Sequence, residues 1–166
     1  MRRDGGIDLP QWLQETPVHH IVYDMRVVLD TSAFVAAIRS PHGASAELLR
    51  RAVTGRLTLL ASVALFAEYE AVATRSEHLI AAGATEADIR NTLDVLAGWI
   101  EPVEIFFLWR PRLRDPDDDM VLETAVNGRA TMIATFNVAD FGAAASEFGM
   151  EIARPGTVLA RLREET

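Results

Sequence analysis

Two residue types are missing from this 166-residue chain: it has no cysteine and no lysine. Without cysteine there are no disulfides, no thiolate nucleophile and no metal bound through sulfur. Without lysine there is no Schiff-base chemistry, no Walker-type phosphate loop and no receiver-domain lysine; all 16 basic residues are arginine. Long apolar runs are absent too, none approaching the ~20 residues that span a bilayer. The first residues lack the apolar stretch of a secretory signal, so the expectation is a soluble, cytoplasmic protein with no membrane association. An excess of positive charge is also missing. The net charge of −8 argues against holding nucleic acid by bulk electrostatics, so a polyanion would have to be brought in by metal ions and a few placed arginines. The length suits one well-cored domain and is short for two.

What is present is organised around Arg26-Val27-Val28-Leu29-Asp30-Thr31-Ser32. Three consecutive apolar residues read as a short strand buried on both faces, and the run stops at a carboxylate followed by two hydroxyls. In open parallel sheets ligands bind outside the carboxyl ends of the strands, which puts Asp30 at the floor of such a crevice. The plainer alternative is that Asp30 only caps the following helix.

Residues 1–24 show no clear period and are broken by Gly5-Gly6, Pro10 and Pro17. They read as an N-terminal extension to a domain over 25–166, and His19-His20 within them is only a weak metal cue. Beyond the first strand the pattern predicts helices over 32–39 and 44–54, a buried strand over 57–61, and a long helix capped by Ser62 and running to about Ile80. Next come a helix over 85–99 with Thr85 and Asp88 forming a capping box, a third strand over 103–108, a helix opened by Asp115-Pro116, and a strand over 131–135. A short helix or loop over 141–149, an edge strand over 151–153 and a closing helix over 155–163 complete the chain. Strands alternating with helices predict an α/β fold with a central parallel sheet.

The densest charge is Asp115-Pro116-Asp117-Asp118-Asp119. Capping and the helix dipole account for one or two of these acids. Four acids within five residues raise one another's pKa unless a cation sits among them, and hard oxygen donors point to Mg²⁺ or Mn²⁺. The acids that the coarse fold aims toward one crevice are Asp30, Glu68, one or two of Asp117 to Asp119, and Asp140. Taken alone, Glu68 on its amphipathic helix also reads as ordinary surface.

The order of these residues resembles the PIN-domain family of metal-dependent ribonucleases, especially the bacterial branch akin to VapC toxins. The resemblance spans about Met25 to Leu162. It lies in the stretch from Arg26 to Ser32, in Ser62 through Glu68-Tyr69-Glu70, in Arg114-Asp115-Pro116-Asp117-Asp118-Asp119 followed by Val121-Leu122-Glu123, and in the strand ending at Thr135. It implies a three-layer α/β/α fold and hydrolysis of RNA with Mg²⁺ or Mn²⁺, by a toxin paired with a cognate antitoxin and acting as a homodimer. Carried over by position, the first three acids are Asp30, Glu68 and Asp118. Asp118 is chosen over Asp117 and Asp119 because Val121, Leu122 and Ala125 then fall where the family's helix packs. Asp30 and Asp118 would hold the first metal, with Glu68 and Asp140 orienting water directly or through a second metal. Thr31, Ser32 and Thr135 would supply supporting hydroxyls, and Arg39, Arg110, Arg112 and Arg114 are candidate RNA contacts.

This chain departs from the branch at the fourth acid. Branch members commonly carry Thr-Gly-Asp after the strand, whereas Thr135-Phe136-Asn137 stands here, so Asp140 takes the acid's place with Asn137 as a neutral neighbour. The departure weakens the case for a second metal and keeps open a rival reading, a weak or inactive PIN fold that binds RNA or an antitoxin. A phosphotransfer protein with Asp30 as nucleophile is a further rival. The missing lysine and the lack of an acid two residues after Asp30 speak against it.

Overall fold

The computed structural model describes residues 25–108, 110 and 112–164. The expected 1–24 extension and His19-His20 lie outside the described residues. Five strands, β1 (Arg26–Leu29), β2 (Thr58–Ser62), β3 (Glu101–Val103), β4 (Met132–Ala134) and β5 (Glu151–Ala153), form one sheet in the order β3-β2-β1-β4-β5. Every pairing is parallel. Val27, Val28 and Leu29 are fully buried, as a central strand covered on both faces requires.

The helices are α1 (Thr31–Arg39), α2 (Ala44–Val53), α3 (Val63–Ala73), α4 (Ser76–Ala82), α5 (Glu86–Ala97), α6 (Pro116–Asn127), α7 (Val138–Glu147) and α8 (Pro155–Glu164). The packing of α1, α2 and α8 on one another makes one layer, and α6 with α7 makes the other. This is the arrangement that right-handed crossovers demand of this strand order. From β1 the chain moves outward to β2 and β3, then returns across the sheet to β4 on the other side of β1. The strand order therefore reverses between β1 and β4, and the crevice at that reversal lies between Asp30 and Thr135. Among the described residues no helix is long and apolar enough to cross a membrane.

Three elements differ from the sequence reading. The third strand is Glu101–Val103, not 103–108. It pairs with Leu60, Ala61 and Ser62, and β2 ends there in α3, so residues beyond Val103 have no neighbour to extend the ladder. Phe106, Phe107 and Leu108, apolar enough to pass for strand, are instead 71%, 65% and 72% exposed. The long helix over 62–80 is two helices. The Thr74 hydroxyl donates back to the Glu70 carbonyl (2.8 Å), and Arg75 is extended, with φ −63° and ψ 140°, which restarts the helix at Ser76. The segment expected over 141–149 is a helix that begins at Val138. The Thr85–Asp88 capping box is formed on both sides as expected.

Helix α6 ends at Gly128, where the backbone passes too close to its neighbours for a side chain. A Cβ there would lie 2.8 Å from Val103 Cγ2 and 2.9 Å from the Thr124 carbonyl oxygen.

Candidate active site

Asp30 follows β1 directly, and its backbone N–H donates to the Ala134 carbonyl of β4 (2.9 Å). It occupies the N-cap position of α1 yet makes no side-chain capping bond. Its buried carboxylate is held instead by two hydroxyls on Oδ2, Ser32 Oγ at 2.6 Å and Thr135 Oγ1 at 2.7 Å. Thr135 in turn accepts the Asn137 N–H (3.0 Å). One oxygen of Asp30 is thus fixed from the first turn of α1 and from the end of β4, while no described residue donates to Oδ1. That asymmetry leaves a single oriented oxygen for a ligand.

Tyr69 of α3 supports the same point from below. Its fully buried phenol donates to the Leu29 carbonyl at 2.5 Å, and its ring stacks on Phe34 with centroids 4.3 Å apart. Burial, with the Asp30 charge adding to it, raises the phenol's pKa well above its ordinary value, so it remains a protonated donor.

The three consecutive acids of α6 point in three directions, as the 100° turn per helical residue requires. Asp117 is exposed, and its N–H is taken by the capping carboxylate of Asp115 (3.0 Å). Asp119 is turned inward and buried, its Oδ1 accepting the backbone N–H groups of Arg112 (3.1 Å) and Leu113 (2.9 Å). Asp118 faces the crevice. Its carboxyl is pushed up from 3.8 to about 6, first by partial burial and then by the charges of Asp30, Asp115, Asp140 and Asp117.

Asp30 and Asp140 therefore both come within electrostatic reach of Asp118, although Asp140 itself, in the first turn of α7, is exposed. Glu68, half-buried on α3, is not among the charges that act on Asp118 and makes no hydrogen bond among the described residues. No three acids of the described residues close around one point tightly enough to hold an ion as they stand. Thr31 opens α1 and is partly exposed, and Asn137 contributes its backbone rather than its amide.

One arrangement escaped the sequence reading. Asp119, Glu123 and Asn127 lie four residues apart on α6, one face of the helix, and each ties down part of the segment between β3 and α6. The Asn127 amide accepts the N–H groups of Phe106 and Phe107 (both 3.0 Å) and donates to the Phe107 carbonyl (3.0 Å). Buried Glu123 accepts from the Arg110 guanidinium at 3.0 Å. Asp119 takes the backbone at 112–113. Arg112 also pairs with Glu147 of α7. The signal was present in the sequence as a polar stripe at four-residue spacing beside the apolar Val121, Leu122 and Ala125. Arg39 and Arg114 are exposed and have no partner among the described residues.

A family profile described as PIN domain matches residues 26–139, most of the chain and every strand but the last. The chain belongs to the PIN-domain family. A solved structure similar to this PIN domain is VapBC2 from Rickettsia felis bound to a DNA fragment from its promoter. The two share 15% identity over 78% of this chain and 98% of that one, with a TM-score of 0.53, which shows a common fold. No curated protein matches this PIN domain. The donors fit a hard divalent ion in kind: all are carboxylate or hydroxyl oxygens, and the elevated pKa of Asp118 marks a place where a cation would relieve repulsion.

Proposed function

We propose that this PIN domain is a metal-dependent endoribonuclease, the toxin of a toxin–antitoxin pair that works in the cytoplasm as a homodimer. The observation that carries the reading is the half-buried Asp118 carboxyl within electrostatic reach of Asp30 and Asp140, beside the point where the strand order reverses. Domains of this family are generally nucleases and divalent-metal dependent. The structural neighbour is a VapBC assembly, which supports an antitoxin as partner.

Asp30 and Asp118 would hold Mg²⁺ or Mn²⁺, with Asp140 and Glu68 beside them. Once bound, such an ion lowers the pKa of water and offsets charge developing on a phosphodiester. Asp30 presents one oxygen in a fixed direction because Ser32 and Thr135 hold the other. Asp140, exposed at the start of α7, would accept a proton from an incoming water and pass it to solvent. Asp117 and Asp115 add negative potential without facing the crevice, and Asp119 has its oxygen engaged by backbone.

A second reading, a binding protein with little turnover, is favoured by one feature: Asn137 stands where the toxin branch carries an acid. The deciding experiment is cleavage of single-stranded RNA with Mg²⁺ or Mn²⁺, with and without chelator, by the parent and by Asp30→Asn. Metal-dependent cleavage abolished in the variant, at unchanged melting behaviour, supports the nuclease. Equal rates for parent and variant would remove Asp30 from the chemistry, and RNA binding without cleavage would establish the second reading.

A further inference from the structure

The described residues between β3 and α6 lie back along α6 as a strap, fastened at Asn127, Glu123 and Asp119, and its two ends differ in chemistry. At the Asn127 end Phe106, Phe107 and Leu108 are exposed side by side, on a backbone that three hydrogen bonds to one amide hold in place. At the Asp119 end the chain carries Arg110, Arg112 and Arg114, three of its 16 arginines within five residues. Nine residues of helix separate Asn127 from Asp118, about 14 Å at 1.5 Å per residue, a span of a few extended nucleotides.

We propose that the strap is the substrate track of the nuclease described above: Phe106 and Phe107 stack bases of single-stranded RNA, and the arginine end leads the phosphates to Asp118. The inference rests on that functional reading and adds to it the residues that grip the substrate and the strandedness they select.

Three observations favour RNA over a protein on this surface. Protein interfaces thin out charged groups at their centres, whereas here arginine recurs at every second position beside the aromatic rings, the combination that grips single strands. A chain of net charge −8 gains little from releasing counterions, so stacking, which does not depend on charge, is the term left to it. The arginines also retain donors. Arg110 and Arg112 are 48% and 44% exposed in their side chains while paired with Glu123 and Glu147, so each carboxylate orients a guanidinium whose other edge is open to a phosphate. Aromatic residues on a backbone already fastened to Asn127 need less ordering on binding than residues on a free loop. Duplex RNA, whose bases are already stacked on one another, offers them nothing.

The test is fluorescence anisotropy with Asp30→Asn protein in Mg²⁺, using a short labelled oligoadenylate, an abasic ribose-phosphate strand of equal length and a duplex. The proposal expects tight binding of the oligoadenylate over the other two. It also expects about tenfold weaker binding after combined Phe106→Ala and Phe107→Ala substitution, with Phe107→Trp as a single change retaining parental affinity. In otherwise wild-type protein the same alanine pair should raise KM for single-stranded RNA and spare kcat. Affinity unchanged by the alanine pair, or abasic strand bound as well as oligoadenylate, overturns the track even if the protein cleaves RNA. Binding lost with the rings while the parent never cleaves would sink the nuclease and keep the track. Sedimentation showing that the alanine pair turns a dimer into a monomer, with RNA affinity intact, would assign the surface to a second copy of the chain and overturn the proposal.

Discussion

Replacing Asp118 by asparagine is expected to stabilise the metal-free protein at neutral pH while destroying its response to metal. The carboxyl titrates near 6 rather than at 3.8, so the folded protein binds its proton more tightly than the unfolded chain does. The stability this group contributes is fully present below about pH 4, declines as pH rises through 6, and is absent at pH 7. At about 1.4 kcal/mol per tenfold change in proton affinity, the penalty of burial and repulsion relieved at pH 7 has a ceiling of about 3 kcal/mol. The group is only partly buried, so solvent screening reduces this to about 1 kcal/mol. The favourable helix-terminal position of the charge, worth about 0.5 kcal/mol, opposes the gain without reversing it. In a chain of this size 1 kcal/mol is about 3 °C in Tm. Urea unfolding and thermal melts at pH 4 and pH 7, with and without Mg²⁺, measure all of this. Asp118→Asn should exceed the parent at pH 7 without metal and match it at pH 4. With saturating Mg²⁺ the order should invert, because a ligand at a hundredfold its Kd adds about 2.7 kcal/mol to the parent alone. A variant less stable than the parent at pH 7, or one that gains equally at both pH values, would refute the reasoning.

Two further substitutions test the frame around the site. Thr135→Val removes the donor to Asp30 Oδ2 and the acceptor of the Asn137 N–H; a stability loss of about 1–2 kcal/mol and a fall in kcat at constant KM are expected, with Thr135→Ser restoring both, and a full rate in the valine variant would show that the orientation of Asp30 does not matter. Gly128→Ala drives a methyl against Val103, Leu60 and the Thr124 carbonyl, the last a backbone atom that cannot step aside; chemical denaturation should report about 1–3 kcal/mol of destabilisation, and an unchanged midpoint would mean that the end of α6 is looser than the contacts imply.

Much of this could be read from the sequence because it depended on near neighbours. A continuous Val27-Val28-Leu29 run can only be a strand covered on both sides, and an acid just after it marks the carboxyl edge of the sheet. The capping box at Thr85 and the N-cap at Asp115 are both local chemistry. What misled was composition without knowledge of partners. Residues 104–108 have the apolar character of a strand, but whether they pair depends on where β2 ends, more than forty residues earlier. The three acids from Asp117 to Asp119 look equivalent by composition, and the resemblance singled out Asp118 only through the expected packing of Val121, Leu122 and Ala125, whose burial fixes the rotation of α6. The direction of the Tyr69 phenol toward the Leu29 carbonyl was not legible in the sequence, since that contact joins α3 to β1.

The fastenings at Asp119, Glu123 and Asn127 make the helix a ruler for the loop beside it. Its marks are one turn apart, about 6 Å at 1.5 Å per residue, and the loop meets them with Leu113 and Arg112, with Arg110, and with Phe107 and Phe106 in reverse order. Adding or deleting a single residue between those positions would put at least one mark out of reach, freeing either the aromatic end or the buried carboxylate of Glu123. Arg110 apart, whose guanidinium is itself a fastening, the segment can therefore change its side chains but not its length, and an engineer wishing to retarget the protein should exchange side chains there and leave the count alone.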